Sequence, residues 1–469
     1  MTRFRRALMS MTLLAGLAGA AGVGAPAAAA AGADIRDQLE AAPGVTVLEE
    51  QPVAAPYRFF VLSITQPVDH LRPGAGTFQQ RFTILHRGTD RPTVLHTTGY
   101  NVPTYAFRSE PTRLVDGNQL SVEQRFFTPS RPDPADWSKL TIWQAATDHH
   151  RIVAALKPIY AKKWLSTGAS KGGMTSIYHR RFYPSDVDGT IAYVAPQDVV
   201  NSEDSAYDRF FTKVGTAQCR AALDAIQVEA LRRRGELVAR YEAWAAANAR
   251  TFTTIGSADR AFEFMVNGTT WAFWQYSLAS DCAGVPPTTA SSDDLWAWLD
   301  EIYGVDSNTD QGVGPYIPYY FQASYQLGYP DVSLPHLAGL QHYRGQDRAQ
   351  SYIPRDLVPH FQPLAMGDVD VWVKLFGRRL LFVYGQNDPW GAEPFRLGPG
   401  TRDSLSYTAP GANHGANIAK LTSAEAATAT SAVQRWADVT AAASLTTAPS
   451  YIPSLDDRDP ALDRRFALR

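Results

Sequence analysis

Segments with two different hydrophobic periods alternate along the chain from residue 57 onwards. Runs rich in aromatic and β-branched side chains are typical of strands, and runs with apolar residues three or four positions apart are typical of helices. The first kind predicts strands over 57–70, 76–88, 92–101, 162–167 and 189–196. The second kind predicts a helix over 136–160, where Pro158 marks the end, and another after Ser170 that reaches Tyr183. This alternation predicts a largely parallel sheet with helices on its faces.

The pattern changes after Gln197 and returns to strands near residue 378. Mostly helical signals fill the block between, at 221–250, 257–274 and 291–304. Strand-like runs follow at 378–390 and 404–415, before a helix that opens with a capping box at 422–425. The block between the two sets of strands is therefore predicted to be a helical cap inserted into an α/β core.

The predicted division of the chain follows from these changes in pattern. It comprises a signal peptide (1–33), a possible pro-segment or N-terminal extension (34–56), the first part of the core (57–198), the helical cap (199–367), the second part of the core (368–448) and a C-terminal tail (449–469). The tail is rich in proline and charge, and we expect it to lie over the surface.

The first 33 residues have the character of an export signal. Arg3, Arg5 and Arg6 precede an uncharged run rich in Gly and Ala, and several Ala-x-Ala sequences follow between Ala28 and Ala33. This arrangement predicts a secretory signal peptide, because a membrane anchor would end in a charged stop-transfer flank. No later run reaches the ~18 apolar residues that a membrane span needs. We therefore expect a soluble, secreted, extracellular protein, with the export route left open.

The charge balance and the cysteine content limit the kinds of partner and cofactor that the protein can have. The 44 Lys and Arg residues nearly balance the 46 Asp and Glu residues, so no global field favours nucleic acid or an anionic membrane. The two cysteines are Cys219 and Cys282, and in an oxidising compartment we expect a disulfide between them rather than free thiols. No His or Cys stands at metal-ligand spacing nearby, so no metal or other cofactor is predicted.

The sequence GASKGG, residues 168–173, places a serine where a predicted strand meets a predicted helix. The pattern Gly-x-Ser-x-Gly alone is weak evidence, so the rest of the chain must supply what a serine nucleophile needs. Those needs are a base within hydrogen-bond reach, a carboxylate that orients the base, and donors for the developing oxyanion. In α/β-hydrolases the nucleophile lies on such a turn, and the chain order is Ser, acid, His.

Two later residues complete that order, each just after a strand signal. Asp388 follows the first of these strands and His414 the second, and such strand ends are where ligand-facing residues of an open α/β sheet gather. Taken singly, Asp388 could be a turn residue before Pro389 and His414 a surface loop residue. Together they predict a triad of Ser170, Asp388 and His414 in an α/β-hydrolase fold with an inserted, mainly helical cap.

Backbone N–H groups are expected to bind the oxyanion. One donor should be Lys171, the residue after the nucleophile, and the other should come from the loop after the third strand, at Gly99 or Tyr100. The Lys171 side chain is expected at a solvated helix start, and no chemistry is assigned to it beyond its amide.

At this point the sequence resembles the secreted bacterial prolyl tri/tetrapeptidyl aminopeptidases, which are serine peptidases with an α/β-hydrolase fold. The stretches that carry the resemblance are 166–197, 382–395 and 411–418. Weaker similarity at 121–127 and 319–332 extends to the related lysosomal Pro-Xaa carboxypeptidase and dipeptidyl peptidase class. The resemblance implies release of tri- or tetrapeptides from free N-termini by cleavage after proline, and its motifs fall on the same three residues, Ser170, Asp388 and His414.

Such a substrate needs a flat apolar slot for proline and a carboxylate for the substrate's ammonium group. The cap offers many rings for the slot, although most can equally be plain core: Trp271, Trp274, Tyr316, Tyr319, Tyr320, Phe321 and Tyr325. Glu203 and Asp204 are the candidates for the ammonium, with a solvated acidic turn as the alternative. Glu123 is a further candidate, against a structural salt bridge with a nearby arginine.

Three other functions stay open at this stage. A secreted esterase or lipase could use the same triad, because the fold does not determine the substrate. A Pro-Xaa carboxypeptidase would bind the C-terminal carboxylate of the substrate instead of its N-terminal ammonium group. A non-enzymatic binding protein is disfavoured by an intact triad. The sequence does not predict the oligomeric state.

Overall fold

The computed structural model describes residues 33–439 and 451–457. Within them nine strands form one sheet in the order β1-β2-β3-β5-β4-β6-β7-β8-β9. The strands are β1 (Val45–Gln51), β2 (Arg58–Pro67), β3 (Thr77–His86), β4 (Thr93–Thr97), β5 (Asn118–Val122), β6 (Trp164–Ala169), β7 (Gly189–Tyr193), β8 (Leu380–Gly385) and β9 (Leu405–Ala409). From β5 through β9 neighbouring strands are parallel, and β1, β2, β3 and β5 pair antiparallel.

The described helices are distributed between the sheet and the cap. They are α1 (Ile35–Glu40), α2 (Glu110–Val115), α3 (Ile142–Leu156), α4 (Lys171–Phe182), α5 (Ser205–Phe211), α6 (Ala217–Arg232), α7 (Arg234–Ala247), α8 (Ala258–Tyr276), α9 (Ser292–Ile302), α10 (Asp310–Val313), α11 (Ile317–Gln322), α12 (Leu364–Phe376), α13 (Ser423–Trp436) and α14 (Pro453–Asp456).

Helices cover both faces of the parallel part of the sheet. On one face, α3, α4 and α12 pack against β7 and β8 around residues such as Ile177 and Phe382. On the other face, α2 and α13 pack against β6, β7 and β8 around Leu165 and Trp436. A strand covered on both faces needs apolar side chains throughout, which explains the continuous hydrophobic run of β8. The α/β-hydrolase fold expected from the sequence is confirmed.

The cap lies between β7 and β8 and has a hydrophobic core of its own. Helices α6, α7, α8 and α9 bury residues such as Leu223, Phe262 and Leu299 against one another. The expected disulfide, Cys219–Cys282, ties α6 to the segment after α8, with a Cα–Cα distance of 5.5 Å. Helix α12 packs on the sheet core and begins at Leu364, a few residues before the end predicted for the cap.

The two ends of the described chain belong to the sheet domain. Within the predicted N-terminal extension, α1 and β1 form one edge of the sheet, and β1 pairs with β2. Within the predicted tail, Leu455 of α14 packs against Tyr57 and Phe59, and Asp456 forms a buried ion pair with Arg108. Leu455 and Asp456 therefore anchor a segment whose residues Tyr451, Pro453, Ser454 and Asp457 are exposed at the surface.

The predicted signal peptide, apart from Ala33, lies outside the described residues. In the described part of the chain, each helix is too short or too polar to span a lipid bilayer.

Candidate active site

Ser170 lies at a sharp turn between β6 and α4. Its backbone angles, φ 55° and ψ −127°, fall in a region that non-glycine residues rarely adopt and that costs about 1–3 kcal/mol. The Ser170 N–H donates to the Tyr193 carbonyl oxygen at 2.9 Å, which fixes the turn against β7. Strain of this kind persists only where the surrounding structure determines it, and it is common at functional sites.

The glycines of GASKGG permit this turn because backbone segments pass very close to them. A Cβ atom at Gly168 would lie 2.3 Å from the Gly172 carbonyl oxygen, and one at Gly172 would lie 2.4 Å from the Thr97 carbonyl oxygen. Strand β4 and helix α4 are also joined by a hydrogen bond from Thr97 Oγ1 to the Gly172 carbonyl oxygen at 2.7 Å. A side chain does not fit at either position. The close packing of backbone segments around the two glycines therefore determines where Ser170 lies.

Asp388 and His414 form a buried pair at the ends of β8 and β9. The His414 Nδ1 and Asp388 Oδ2 atoms are 2.8 Å apart, and the two side chains are almost fully buried. Asp388 Oδ1 also accepts the Trp390 N–H at 3.1 Å. An ionised aspartate accepts hydrogen bonds only, so His414 Nδ1 is the donor and the neutral ring keeps Nε2 as an acceptor.

The histidine of this pair lines the same cavity as the serine, and its acceptor atom is free within the described residues. In the described structure His414 Nε2 is buried without a hydrogen-bond partner. His414 and Ser170 line the same cavity, of about 1350 Å³, between the sheet and the cap. The backbone N–H of His414 donates to the Gln275 carbonyl oxygen of α8 at 3.0 Å, so the cap helps to hold the histidine loop. Ser170 and His414 thus line one cavity, and Asp388 is connected to it through its contact with His414.

Rings from both domains line this cavity. Of the seven predicted cap rings, the five that line it are Trp271, Trp274, Tyr316, Tyr319 and Tyr320. Phe321 and Tyr325 pack elsewhere, beside Phe126 and Leu140, so their assignment to the proline slot is wrong. The sequence interpretation named Tyr100 only for its backbone N–H and did not name Trp390; the rings of both line the cavity from the sheet side. Tyr100 contacts Tyr316 and Tyr319 with ring centroids 6.2 and 5.8 Å apart.

The predicted oxyanion loop is tied to Lys171 by the lysine side chain. Lys171 Nζ donates to the Gly99 carbonyl oxygen at 2.5 Å and lies 5.3 Å and 5.4 Å from the ring centres of Tyr100 and Phe127. The side chain is buried, so the expected solvated helix start is wrong. Burial lowers the Lys171 pKa to about 7. The Tyr100 N–H already donates to Thr98 Oγ1 at 3.2 Å, a long bond that an oxyanion would have to share.

The predicted ammonium-binding acids lie outside the main cavity wall. Glu203 is exposed, and its carboxylate accepts the Ser205 N–H at 3.0 Å at the start of α5. Asp204 is half-buried, and burial, with Asp331 and Asp208 nearby, raises its pKa to about 6. Glu123 is buried against Arg81, with Nη2 and Oε2 2.6 Å apart, so the structural salt bridge is the correct interpretation.

Two further acids near Asp204 escaped the sequence interpretation. Asp198 is buried and Glu393 is half-buried, and burial together with the nearby Asp204 raises both pKa values. Asp198 follows the strand signal at 189–196 by two residues, the same kind of position that identified Asp388. The same position after a predicted strand could therefore have identified Asp198 from the sequence. In the part of the chain that the structure describes, no group of three or more His, Cys, Asp and Glu side chains is arranged to hold a metal ion.

Comparisons with known proteins place the chain in a family. The family model described as PS-10 peptidase S37 matches residues 28–469. A prolyl tri/tetrapeptidyl aminopeptidase from Streptomyces mobaraensis is 58% identical over 409 residues, which cover 87% of this chain and 86% of that protein.

Solved structures with similar topology are distant in sequence. A proline iminopeptidase from Mycobacterium smegmatis is 14% identical, with a TM-score of 0.33 over 83% of this chain and 99% of its own. An epoxide hydrolase from Vigna radiata is 11% identical, with a TM-score of 0.34 over 81% of this chain and 98% of its own. From the family match and the close relative, the chain belongs to the PS-10 peptidase S37 family and is a serine hydrolase.

Proposed function

We propose that this protein is a secreted exopeptidase that releases tri- or tetrapeptides from free N-termini by cleaving after proline. The buried Asp388–His414 pair carries the proposal, because its histidine keeps an unpartnered Nε2 atom in the described structure and lines the same cavity as Ser170. The name of the Streptomyces mobaraensis relative supports the substrate class. Peptides with proline at the cleaved position are the proposed partners.

The proposed reaction is acyl transfer through Ser170. His414 Nε2 takes the hydroxyl proton while Oγ attacks the carbonyl carbon of the substrate proline, and Asp388 stabilises the imidazolium that forms. The Lys171 N–H and the Gly99 or Tyr100 N–H bind the oxyanion of the tetrahedral intermediate. His414 then protonates the leaving amine, which departs as the new N-terminus of the shortened substrate. A water molecule, activated by the same histidine, hydrolyses the acyl-enzyme and releases the peptide acid.

The cavity rings suit a proline beside the nucleophile. Tyr100 contacts both Tyr316 and Tyr319, and all three rings line the cavity with Ser170. Flat rings match the flat face of a pyrrolidine ring, and proline brings no N–H that these apolar faces would leave unpaired. We place the proline ring against these three tyrosines.

A comparison of blocked and unblocked substrates tests the proposal. Ala-Ala-Pro-p-nitroanilide and its N-acetyl form are offered to the wild type, with Ser170→Ala as the blank. We expect turnover of the free-amine form only, and loss of nearly all turnover in Ser170→Ala. Neither substrate carries a C-terminal carboxylate, so turnover also excludes a carboxypeptidase that must read one. Hydrolysis of p-nitrophenyl esters without turnover of either peptide would replace the proposal with an esterase.

Secretion has a separate test. The full chain is expressed in a secreting bacterial host, and the mature N-terminus in the medium is read by mass spectrometry. We expect cleavage among the small residues between Ala28 and Ala33. A cell-associated protein that keeps its first residues would contradict the signal-peptide prediction.

A further inference from the structure

A small side cavity opens beside Ser170 and ends near an acidic side chain. Its walls include Ser170, Asp198, Tyr207, Tyr319 and Trp390. Its volume is about 20 Å³, and a site needs roughly 10–15 Å³ to hold one water-sized group. An ammonium group has that size. The cavity therefore has room for one small polar group and little more.

The Asp198 carboxylate in this cavity has no partner. Its side chain is 4% exposed, and both oxygens lack a hydrogen bond in the described structure. The Tyr329 N–H faces the carboxylate, but its hydrogen bond goes to Asn201 Oδ1 at 2.7 Å. Within the described residues no Lys, Arg or His nitrogen forms an ion pair with Asp198. A buried carboxylate without a partner is costly, so a cation or a proton must compensate it.

The surroundings of Asp198 favour a cation over a structural partner. Asp204 and Glu393 lie close enough to raise the Asp198 pKa beyond the effect of burial, which brings it to about 7. The positive groups that act on Glu393 are Arg396 and Arg209, and neither acts on Asp198. Three acidic side chains thus lie near one another, two from the connection between β7 and α5 and one from the segment after β8. Lys171 also lines the cavity, but its ammonium group donates to the Gly99 carbonyl oxygen.

A second unpartnered group lies in the same cavity. The Tyr207 hydroxyl is buried and has no hydrogen-bond partner in the described structure, and its pKa is raised by burial and by Asp198, Glu393 and Asp204. A primary ammonium has three N–H donors. The Asp198 carboxylate and the Tyr207 oxygen are acceptors of the kind that such a group requires.

We propose that Asp198 and Tyr207 bind the α-ammonium group of the peptide substrate in this side cavity. This inference rests on the proposed aminopeptidase function and names the residues that select a free N-terminus. It differs from the expectation at Glu203, whose exposed carboxylate already accepts hydrogen bonds from Ser205. An ion pair in water contributes little, whereas the same pair in a buried cavity is much stronger. An acetylated N-terminus would leave Asp198 buried and unpaired.

The test compares three variants on the free and N-acetyl forms of Ala-Ala-Pro-p-nitroanilide. The measured quantity is the ratio of kcat/KM for the free form to that for the acetyl form. We expect Asp198→Asn to lower this ratio on the order of 100-fold, because it removes one partner of a buried charge pair. Tyr207→Phe should lower it about 10-fold, the loss of one hydrogen bond to a charged group. Glu203→Gln is the matched acidic control and should keep the wild-type ratio.

Each outcome decides between the two hypotheses. If the wild type does not cleave the free-amine substrate, the proposed function fails. If the wild type cleaves it but both Asp198→Asn and Tyr207→Phe keep the wild-type ratio, only the ammonium site is wrong. A collapse of the ratio in Glu203→Gln alone would move the site to α5. Should Asp198→Asn not fold, Tyr207→Phe decides alone, because the hydroxyl that it removes has no partner in the described structure.

Discussion

Replacing Lys171 with methionine is expected to have opposite effects on stability in neutral and in alkaline solution. The lysine ammonium is buried at the start of α4, where the helix dipole also disfavours a positive charge. In the described structure no carboxylate forms an ion pair with it. Its hydrogen bond goes to the Gly99 carbonyl oxygen at 2.5 Å. The charge is therefore held at a cost that a neutral side chain would avoid.

The size of this cost follows from the pKa. Burial lowers the Lys171 pKa from 10.5 to about 7, and each pH unit corresponds to about 1.4 kcal/mol. The folded state thus disfavours the ammonium by about 5 kcal/mol relative to the unfolded chain. Between pH 7 and 10.5 the unfolded chain holds a proton that the folded chain has released. The free energy of unfolding of the wild type should therefore rise with pH across this window.

The substitution by methionine removes the contribution of Lys171 titration to the free energy of unfolding, and it also removes the hydrogen bond to Gly99. The Gly99 oxygen left without its partner costs about 1–3 kcal/mol at every pH. Below about pH 7, Lys171→Met should be more stable than the wild type by about 2–4 kcal/mol. Near pH 10.5 it should be less stable by about 1–3 kcal/mol. The kcat should fall about 10-fold at every pH, because the loop that carries the predicted oxyanion donors loses its tie to α4.

The assay is urea unfolding of both proteins from about pH 6 to pH 10.5, with kcat measured beside it. Groups that titrate equally in both proteins cancel in the difference. Lys213→Met, which replaces an exposed lysine of the cap, is the control and should show no pH-dependent difference. Parallel stability curves for Lys171→Met and the wild type would refute the reasoning, since they would mean that burial does not perturb this lysine.

Three further substitutions test the site and the cap. Asp388→Asn should lower kcat by about 10⁴-fold, because His414 loses the tautomer that accepts the proton; a loss under tenfold in the p-nitroanilide assay would remove Asp388 from the triad. Replacing Cys219 and Cys282 together with alanine should lower the free energy of unfolding by about 4 kcal/mol for a loop of 63 residues, and an unchanged urea midpoint would disprove this. Gly172→Ala would put a Cβ 2.4 Å from a carbonyl oxygen, so soluble protein with normal kcat would contradict the packing described for the turn.

The sheet could be predicted where burial required apolar side chains. Strand β8 is covered on both faces, and its side chains from Leu380 to Tyr384 are all apolar. Strand β5 was missed because three of its five buried side chains are polar, and two of these accept hydrogen bonds from neighbouring loops. Asn118 Oδ1 accepts the Arg87 N–H at 2.7 Å, and Gln119 Oε1 accepts the Ser109 N–H at 2.8 Å. Such partners come from the tertiary structure, so hydrophobic patterning cannot reveal them.

The three residues of the predicted triad could be chosen from the sequence because each stands at a strand end, where turn residues give a local signal. The lining of the cavity could not, because it depends on how one element packs on another. Adjacent residues of α11 have different surroundings: Tyr319 and Tyr320 line the cavity, and Phe321 packs away from it. Lys171 is the first residue of α4, a position at which the sequence predicts a solvated side chain. It is buried because the loop that contains Gly99 folds over it.

Lys171 and Asp198 are two buried ionisable residues to which we assign different roles, one in holding a loop and one in binding substrate. Both are buried, they carry opposite charges, and both line the side cavity with Ser170. A direct ion pair would reduce the cost of burying each of them, yet no such pair exists in the described structure. Lys171 is directed to the Gly99 carbonyl oxygen, while the Asp198 oxygens have no partner. Groups held in unfavourable states in a cleft are more common at functional sites than elsewhere. Because the two charges are kept apart, the lysine holds the predicted oxyanion loop and the aspartate stays available to a substrate cation.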